Sequence, residues 1–220
     1  MIELRGLSKT YTVSGKTIKA VQSVDLTVAQ GEFVSIVGHS GSGKSTFLSL
    51  IGGIARPDTG TVTVDGVNIW GYDDKALSRL RNEKYGFVYQ FASLIPTLTA
   101  CENVLLPTVF GGKKTRADAE KLLQLVGLGD KTDRYPAELS GGEQQRIAIA
   151  RAFINDPEIV LADEPTGDLD EETEAEIMAF FEKINREKNV TMVMVTHSSE
   201  LALRAPSRLR MKQGIIEKLT

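Results

Sequence analysis

The stretch that most constrains this chain is Gly38-His39-Ser40-Gly41-Ser42-Gly43-Lys44-Ser45, preceded by Phe33-Val34-Ser35-Ile36-Val37 and followed by Thr46-Phe47-Leu48-Ser49-Leu50-Ile51. A short apolar run, a glycine-rich turn and a second apolar segment read as strand, loop and helix. Two glycines at this distance before Lys-Ser form the P-loop pattern, whose glycines let successive backbone N–H groups converge on phosphate oxygens at a helix N-terminus. Gly38, His39, Ser40, Gly41, Ser42, Gly43, Lys44, Ser45 and Thr46 are therefore the expected cradle, with Lys44 reaching the β- and γ-phosphates and Ser45 holding Mg2+. His39 occupies a freely variable position of the pattern, and its side chain is given no role. Alone, the loop specifies a nucleoside triphosphate and does not separate an ATPase from a GTPase or a kinase.

The rest must fit around that loop within 220 residues, the size of one large α/β domain that buries a full core without disulfides or metals. A formal net charge of -3 argues against a broad nucleic-acid-binding surface. Cys101 is the single cysteine, no basic-then-apolar leader opens the sequence, and no apolar run approaches the roughly 18 residues of a spanning helix. These features point to the cytoplasm and to a membrane role, if any, exercised through a partner.

Residues 2–5 and 21–28 run apolar or alternate, punctuated by Gly6, Gly15 and Gly31, and predict an antiparallel β-lobe leading into the P-loop strand. Tyr11 falls between those strands and is either a half-buried strand tyrosine or a ring free to stack on a base. A polar helix is expected over 73–83 and a buried strand over 86–89, ending at Gln90. The apolar residues Phe91, Leu94, Ile95, Pro96 and Leu98 show neither period; they form either a groove for a partner segment or the packed core of a loop. Helical spacing returns over 117–126, so an inserted helical subdomain is expected after Gln90.

Leu139-Ser140-Gly141-Gly142-Glu143-Gln144-Gln145-Arg146 opens a helix with Ile147, Ala150 and Ile154 on one face, and its glycines make it a second phosphate-facing helix N-terminus. Ile159-Val160-Leu161-Ala162 is a buried strand ended by Asp163-Glu164-Pro165. A carboxylate on that edge beside a P-loop is where Mg2+ needs a ligand, which assigns Asp163 to the metal and Glu164 to the base for an attacking water. A helix over 171–188 carries acids in front and Arg186 and Lys188 behind, a strand follows over 190–195, and a hairpin closes the chain over 208–219. His197, at the end of that strand, is either a structural histidine or a hydrogen-bond donor to a γ-phosphate.

In this order the motifs resemble the full set of the ATP-binding-cassette (ABC) transporter ATPases: residues 38–45, Gln90, 139–144, 159–164, Leu169-Asp170 and His197. The resemblance implies an α/β fold, a P-loop NTPase core with an N-terminal antiparallel β-lobe and an inserted α-helical subdomain. It implies one domain over 1–220, with 1–90 and 157–220 as core plus β-lobe and 91–156 as the helical subdomain that carries the signature motif. It makes Tyr11 the adenine-stacking aromatic, Gln90 a ligand of Mg2+ and the water, and His197 the γ-phosphate histidine. Ser140, Gly141, Gly142 and Glu143 would bind ATP held by a second copy of the chain, and Asp168 and Asp170 would lie where the two copies cross. ATP and Mg2+ are the implied cofactors. The implied partners are that second copy and an integral membrane transporter subunit on the cytoplasmic face, with no direct nucleic acid.

The segments Tyr89-Gln90-Phe91, Leu94 to Ala100 and Ala162-Asp163-Glu164-Pro165-Thr166-Gly167 look like the lipoprotein-release and macrolide-export branch, in which Asp168 replaces the usual asparagine. That branch implies export or extraction of a lipoprotein, peptide or drug-like substrate chosen by the membrane partner. Two other functions share the same engine: a nucleotide-gated regulator of a cell-envelope complex, and a soluble ATPase acting on nucleic acid or ribosomes.

Overall fold

The computed structural model describes residues 1–111, 113–167 and 169–219, so the expectation placed on Asp168 lies outside the described residues. The chain opens with two long strands, β1 (Ile2–Val13) and β2 (Lys16–Val28), paired antiparallel across the Ser14-Gly15 turn. These strands are longer than the sequence suggests. Gly6 does not end one of them but sits at a register irregularity between Leu4 and Leu7, in the left-handed conformation at φ 56°, which glycine adopts without penalty. Tyr11 therefore lies within β1, opposite Ile18, and not between strands.

β3 (Phe33–Val37) feeds α1 (Lys44–Ile51), then β4 (Thr59–Val64) and β5 (Val67–Asn68) form a hairpin across Asp65-Gly66. α2 (Asp74–Lys84) follows, capped by the Asp73 carboxylate, and runs into β6 (Tyr85–Val88). Past β6 the chain turns helical through α3 (Ala100–Leu105), α4 (Arg116–Leu125) and α5 (Gly141–Phe153). It then completes the sheet with β7 (Ile159–Asp163), α6 (Glu171–Lys188), β8 (Thr191–Thr196), the short α7 (Ser199–Ala202), β9 (Ser207–Lys212) and β10 (Ile215–Lys218).

Two sheets result. One is four-stranded and antiparallel in the order β2-β1-β4-β5; the other is six-stranded in the order β10-β9-β3-β8-β7-β6, parallel except for β10. β3 and β8 are buried along their whole length, as strands covered on both faces must be. Their side chains alternate between two cores. Met192 and Met194 join a cluster with α5 and α6 residues such as Ile149, Phe153, Met178 and Phe181. Val193 and Val195 join one with Phe47 and Leu50 of α1 and with Ile2, Leu4 and Val62 of the antiparallel sheet.

Register fixes where the chemistry falls. Val37 pairs with Thr196, Asp163 with Val195 and Val88 with Ala162, so β3, β8, β7 and β6 all end on one edge of the sheet. Open parallel sheets bind ligands outside that edge.

Candidate active site

The loop between β3 and α1 is held from below by its own chain. A Cβ on Gly43, whose φ is 107°, would lie 2.0 Å from the carbonyl oxygen of Ala20, and one on Gly38 would lie 2.4 Å from that of Met211. Only glycine lets the backbone sit this deep. No side chain caps the N-terminus of α1, so its free N–H groups and dipole face outward. Ser42 Oγ is buried without a hydrogen-bond partner, and His39, Ser40, Gly41 and Ser45 are exposed.

Lys44 is the buried cation of this loop, 7% exposed, its Nζ donating to the Gly38 carbonyl at 2.7 Å and the His39 carbonyl at 3.2 Å. It also lies 3.4 Å from Oε1 of Glu164. The other oxygen of that carboxylate accepts the backbone N–H of His197 at 3.0 Å and lies 2.8 Å from its Nδ1. With Glu164 ionised, this contact puts the imidazole proton on Nδ1; to donate from Nε2 as well, the ring must carry both protons.

Glu164 is buried and left-handed, at φ 46°, ahead of Pro165, where a non-glycine residue is strained. Its backbone is held on both sides, the N–H donating to Val195 O at 2.9 Å and the carbonyl accepting from Gly167 N at 3.2 Å. Beside it, burial pushes the Asp163 carboxyl above the usual range; the Ser45 hydroxyl bonded to it and Lys44 oppose that rise, and Glu164 adds to it. Glu164 is paired with Lys44 while the adjacent Asp163 has no ion pair among the described residues, an arrangement short of positive charge. The hydroxyl of Ser45, the carboxylate of Asp163 and the amide of Gln90 are hard oxygen donors of the kind Mg2+ takes, and Ser45 and Asp163 line one small hollow with Tyr89.

The structure therefore brings Lys44, Ser45, Asp163, Glu164 and His197 together. Gln90 is exposed just past the end of β6. Tyr11 is 38% exposed with Lys9 Nζ 5.6 Å from its ring centre. Among the described residues no hydrogen bond or ion pair joins 140–143 to the P-loop. Instead Ser140 caps α5, accepting from Glu143 N at 3.2 Å, while the Glu143 carboxylate accepts Ser140 N at 2.7 Å. This capping box satisfies the N–H groups of Ser140 and Glu143.

The apolar segment after Gln90 divides. Leu94 packs on the core, whereas Phe91 stays 68% exposed. Buried Asn103 threads the segment, donating to the carbonyls of Ile95, Leu98 and Thr99 at 3.1, 3.0 and 3.0 Å and accepting from Ile95 N. The large groove lies next to this segment, not in it. It encloses about 840 Å³ between Ile54, Phe87, Tyr89, Leu106 and Phe110, rimmed by Arg81 and Arg151. Sequence reasoning also passed over Gln145, whose buried amide donates to Tyr89 O at 2.8 Å and Pro165 O at 3.0 Å. A polar residue three, four and seven positions before Ala148, Ile149 and Ala152, all buried, was the available signal.

Comparison with known proteins identifies relatives of the whole chain. The family profile described as "ABC transporter" matches residues 21–167. The lipoprotein-releasing system ATP-binding protein LolD of Bordetella pertussis is 44% identical over 219 residues, covering 98% of this chain and 95% of that one. The macrolide export ATP-binding/permease protein MacB of Rhodopirellula baltica is 43% identical over 98% of this chain, which spans only 32% of that longer protein. Among solved structures, the dimer of MJ0796, a bacterial ABC transporter cassette, matches with a TM-score of 0.94 and 42% identity over 100% of this chain and 99% of that one. The same cassette in a post-hydrolysis dimer bound to ADP and Pi matches with a TM-score of 0.93.

Proposed function

The chain belongs to the ABC transporter family, and on that premise we propose that it is the ATP-hydrolysing subunit of a transporter. Two copies close around ATP and drive a membrane partner that exports or extracts a lipoprotein, peptide or drug-like substrate. The observation that carries this reading is the linked Lys44, Glu164 and His197 on the sheet edge, 3.4 and 2.8 Å apart, directly above the uncapped start of α1.

In this reading the amides of residues 38–46 and the Lys44 ammonium hold the triphosphate, and Tyr11 stacks on the adenine. Ser45, Gln90 and Asp163 would hold Mg2+, which would supply charge neutralisation for the triphosphate. Glu164, released from Lys44 as that ammonium turns to phosphate, accepts the proton of the attacking water. His197 contacts the γ-phosphate. Ser140, Gly141, Gly142 and Glu143 face the nucleotide of the second copy, so the nucleotide joins two chains and its hydrolysis removes the shared contacts.

The names of LolD and MacB and the dimers of the MJ0796 cassette support export or extraction by a paired subunit. The groove of about 840 Å³ beside Tyr89 is the place where a segment of the membrane partner would engage the loop of Gln90. Among the described residues no helix is long and apolar enough to cross a membrane, so in this reading the chain is held at the cytoplasmic face by that partner.

Glu164→Gln tests the assignment. Losing the base is expected to lower ATP turnover by about 10²-fold or more and to leave an ATP-bound dimer that persists in size-exclusion chromatography. Turnover equal to the parent protein's would overturn the role of Glu164.

A further inference from the structure

Strands β6 and β7 pair only as far as Val88 and Ala162. Beyond that point the two segments that carry Gln90 and Glu164 leave the ladder, and their carbonyls need other donors. One side chain supplies both. The amide nitrogen of Gln145, on α5, donates to the carbonyl just before Gln90 (Tyr89 O, 2.8 Å) and to the carbonyl just after Glu164 (Pro165 O, 3.0 Å). Gln145 is 5% exposed, so both of its N–H groups are spent on these two bonds, and the one to Pro165 O is fully buried.

We propose that Gln145 is a positioning residue for ATP hydrolysis, a rivet that sets the distance between the loop of Gln90 and the strained turn of Glu164. The inference rests on the function proposed above. A second contact from the same helix strengthens it: Arg151 donates to Ala92 O at 2.7 Å and Ser93 O at 3.0 Å. Helix α5 thus grips residues 89–93 on both sides of Gln90, which itself stays exposed. The helix whose first turn faces the second copy is the one that aims Gln90 in its own chain. A shift of α5 along its axis is therefore transmitted to Gln90 and to Glu164 together, which joins closure of the pair to readiness for hydrolysis.

A double-mutant cycle in the full-length protein reads this link. Gln145→Met keeps the length of the side chain and removes both donors. It is expected to lower kcat by about 10-fold while the KM for ATP moves less than about 2-fold, because binding by the P-loop is untouched. In the Gln90→Ala background the same change should lower kcat by no more than about 3-fold, since one of the two groups it positions is already gone and only its hold on the turn of Glu164 remains to be lost. A full 10-fold loss in both backgrounds, or a loss expressed only in KM, overturns the proposal. Should Gln145→Met fail to fold, Gln145→Asn, which keeps the amide but draws it back by one methylene from both carbonyls, is run through the same cycle with the same criteria. A parent protein that does not hydrolyse ATP would refute the function itself; a parent that hydrolyses ATP and variants that match it refute only the role of Gln145.

Discussion

Helices α1 and α5 both start beside glycines, yet Gly38 and Gly43 before α1 press against the chain's own backbone, whereas Gly141 and Gly142 opening α5 leave room for a methyl group. A methyl group on Gly43 would sit 2.0 Å from Ala20 O; on Gly141 it would have nothing within 4 Å, and on Gly142 ordinary contacts with the side chains of Leu169 at 3.4 Å and Thr173 at 4.0 Å. The first helix is left uncapped, with a buried lysine at its start; the second carries a complete capping box from Ser140 and Glu143. Glycine in a helix costs up to about 1 kcal/mol relative to alanine. Gly141 and Gly142 bear that cost inside α5 with no packing demand from the described residues, whereas Gly38 and Gly43 precede α1 and meet one. The floor of the α1 loop is packed by its own chain, while in the function proposed above the demand for small residues at α5 comes from a second copy.

The largest expected effect is at Gly43. Gly43→Ala must move either Ala20 or the loop and hold alanine at φ 107°, which together cost about 3 kcal/mol or more. For a chain of this size that lowers the melting midpoint by roughly 6–12 °C, measured without nucleotide, and ATP binding is lost. A variant that melts within about 2 °C of the parent would show that the cradle is not packed as described, and the contrast with α5 would fail.

Ser140 gives a smaller effect that separates two roles. Ser140→Ala removes the cap and should cost about 1 kcal/mol, seen as a midpoint lower by roughly 2–4 °C. Ser140→Asp keeps a capping oxygen and should melt close to the parent, while its negative charge repels the γ-phosphate of the facing copy and suppresses turnover. Turnover by Ser140→Asp at the parent's level would make Ser140 a cap and nothing more.

What was legible in the sequence is what local rules encode. The apolar run before the P-loop, the acids that end β7 and the charge-graded helix Glu171–Lys188 each declare themselves within a few residues, and each stands where the spacing put it. Gly6 misled because a glycine that ends a strand and a glycine that kinks one look alike; only the register irregularity beside it tells them apart. The groove beside Tyr89 was not legible because its walls come from Ile54, Phe87, Leu106 and Arg151, four segments that no single window contains. The left-handed turn at Glu164 and the bonds of Gln145 are likewise tertiary facts. A glutamine on the inner face of a helix announces a buried amide but not which carbonyls it will find.

The smallest effect on stability is the most pointed, because its sign is opposite to that at Gly43. Gly141→Ala replaces the first residue of α5 where a methyl group has free space, so it should leave stability unchanged or raise it by about 0.5 kcal/mol, since alanine loses less backbone freedom than glycine. A midpoint shift of roughly +1 to +2 °C is expected, with ATP binding to the single chain unaltered. Turnover by the paired chains should nevertheless fall by about 10-fold or more, because the added methyl group stands where the other copy's phosphate approaches α5. A protein that is as stable as its parent, binds ATP equally well and yet hydrolyses it poorly has lost something only a second copy provides. If instead turnover survives, the open space above Gly141 is simply surface, and the glycines of α5 need another explanation.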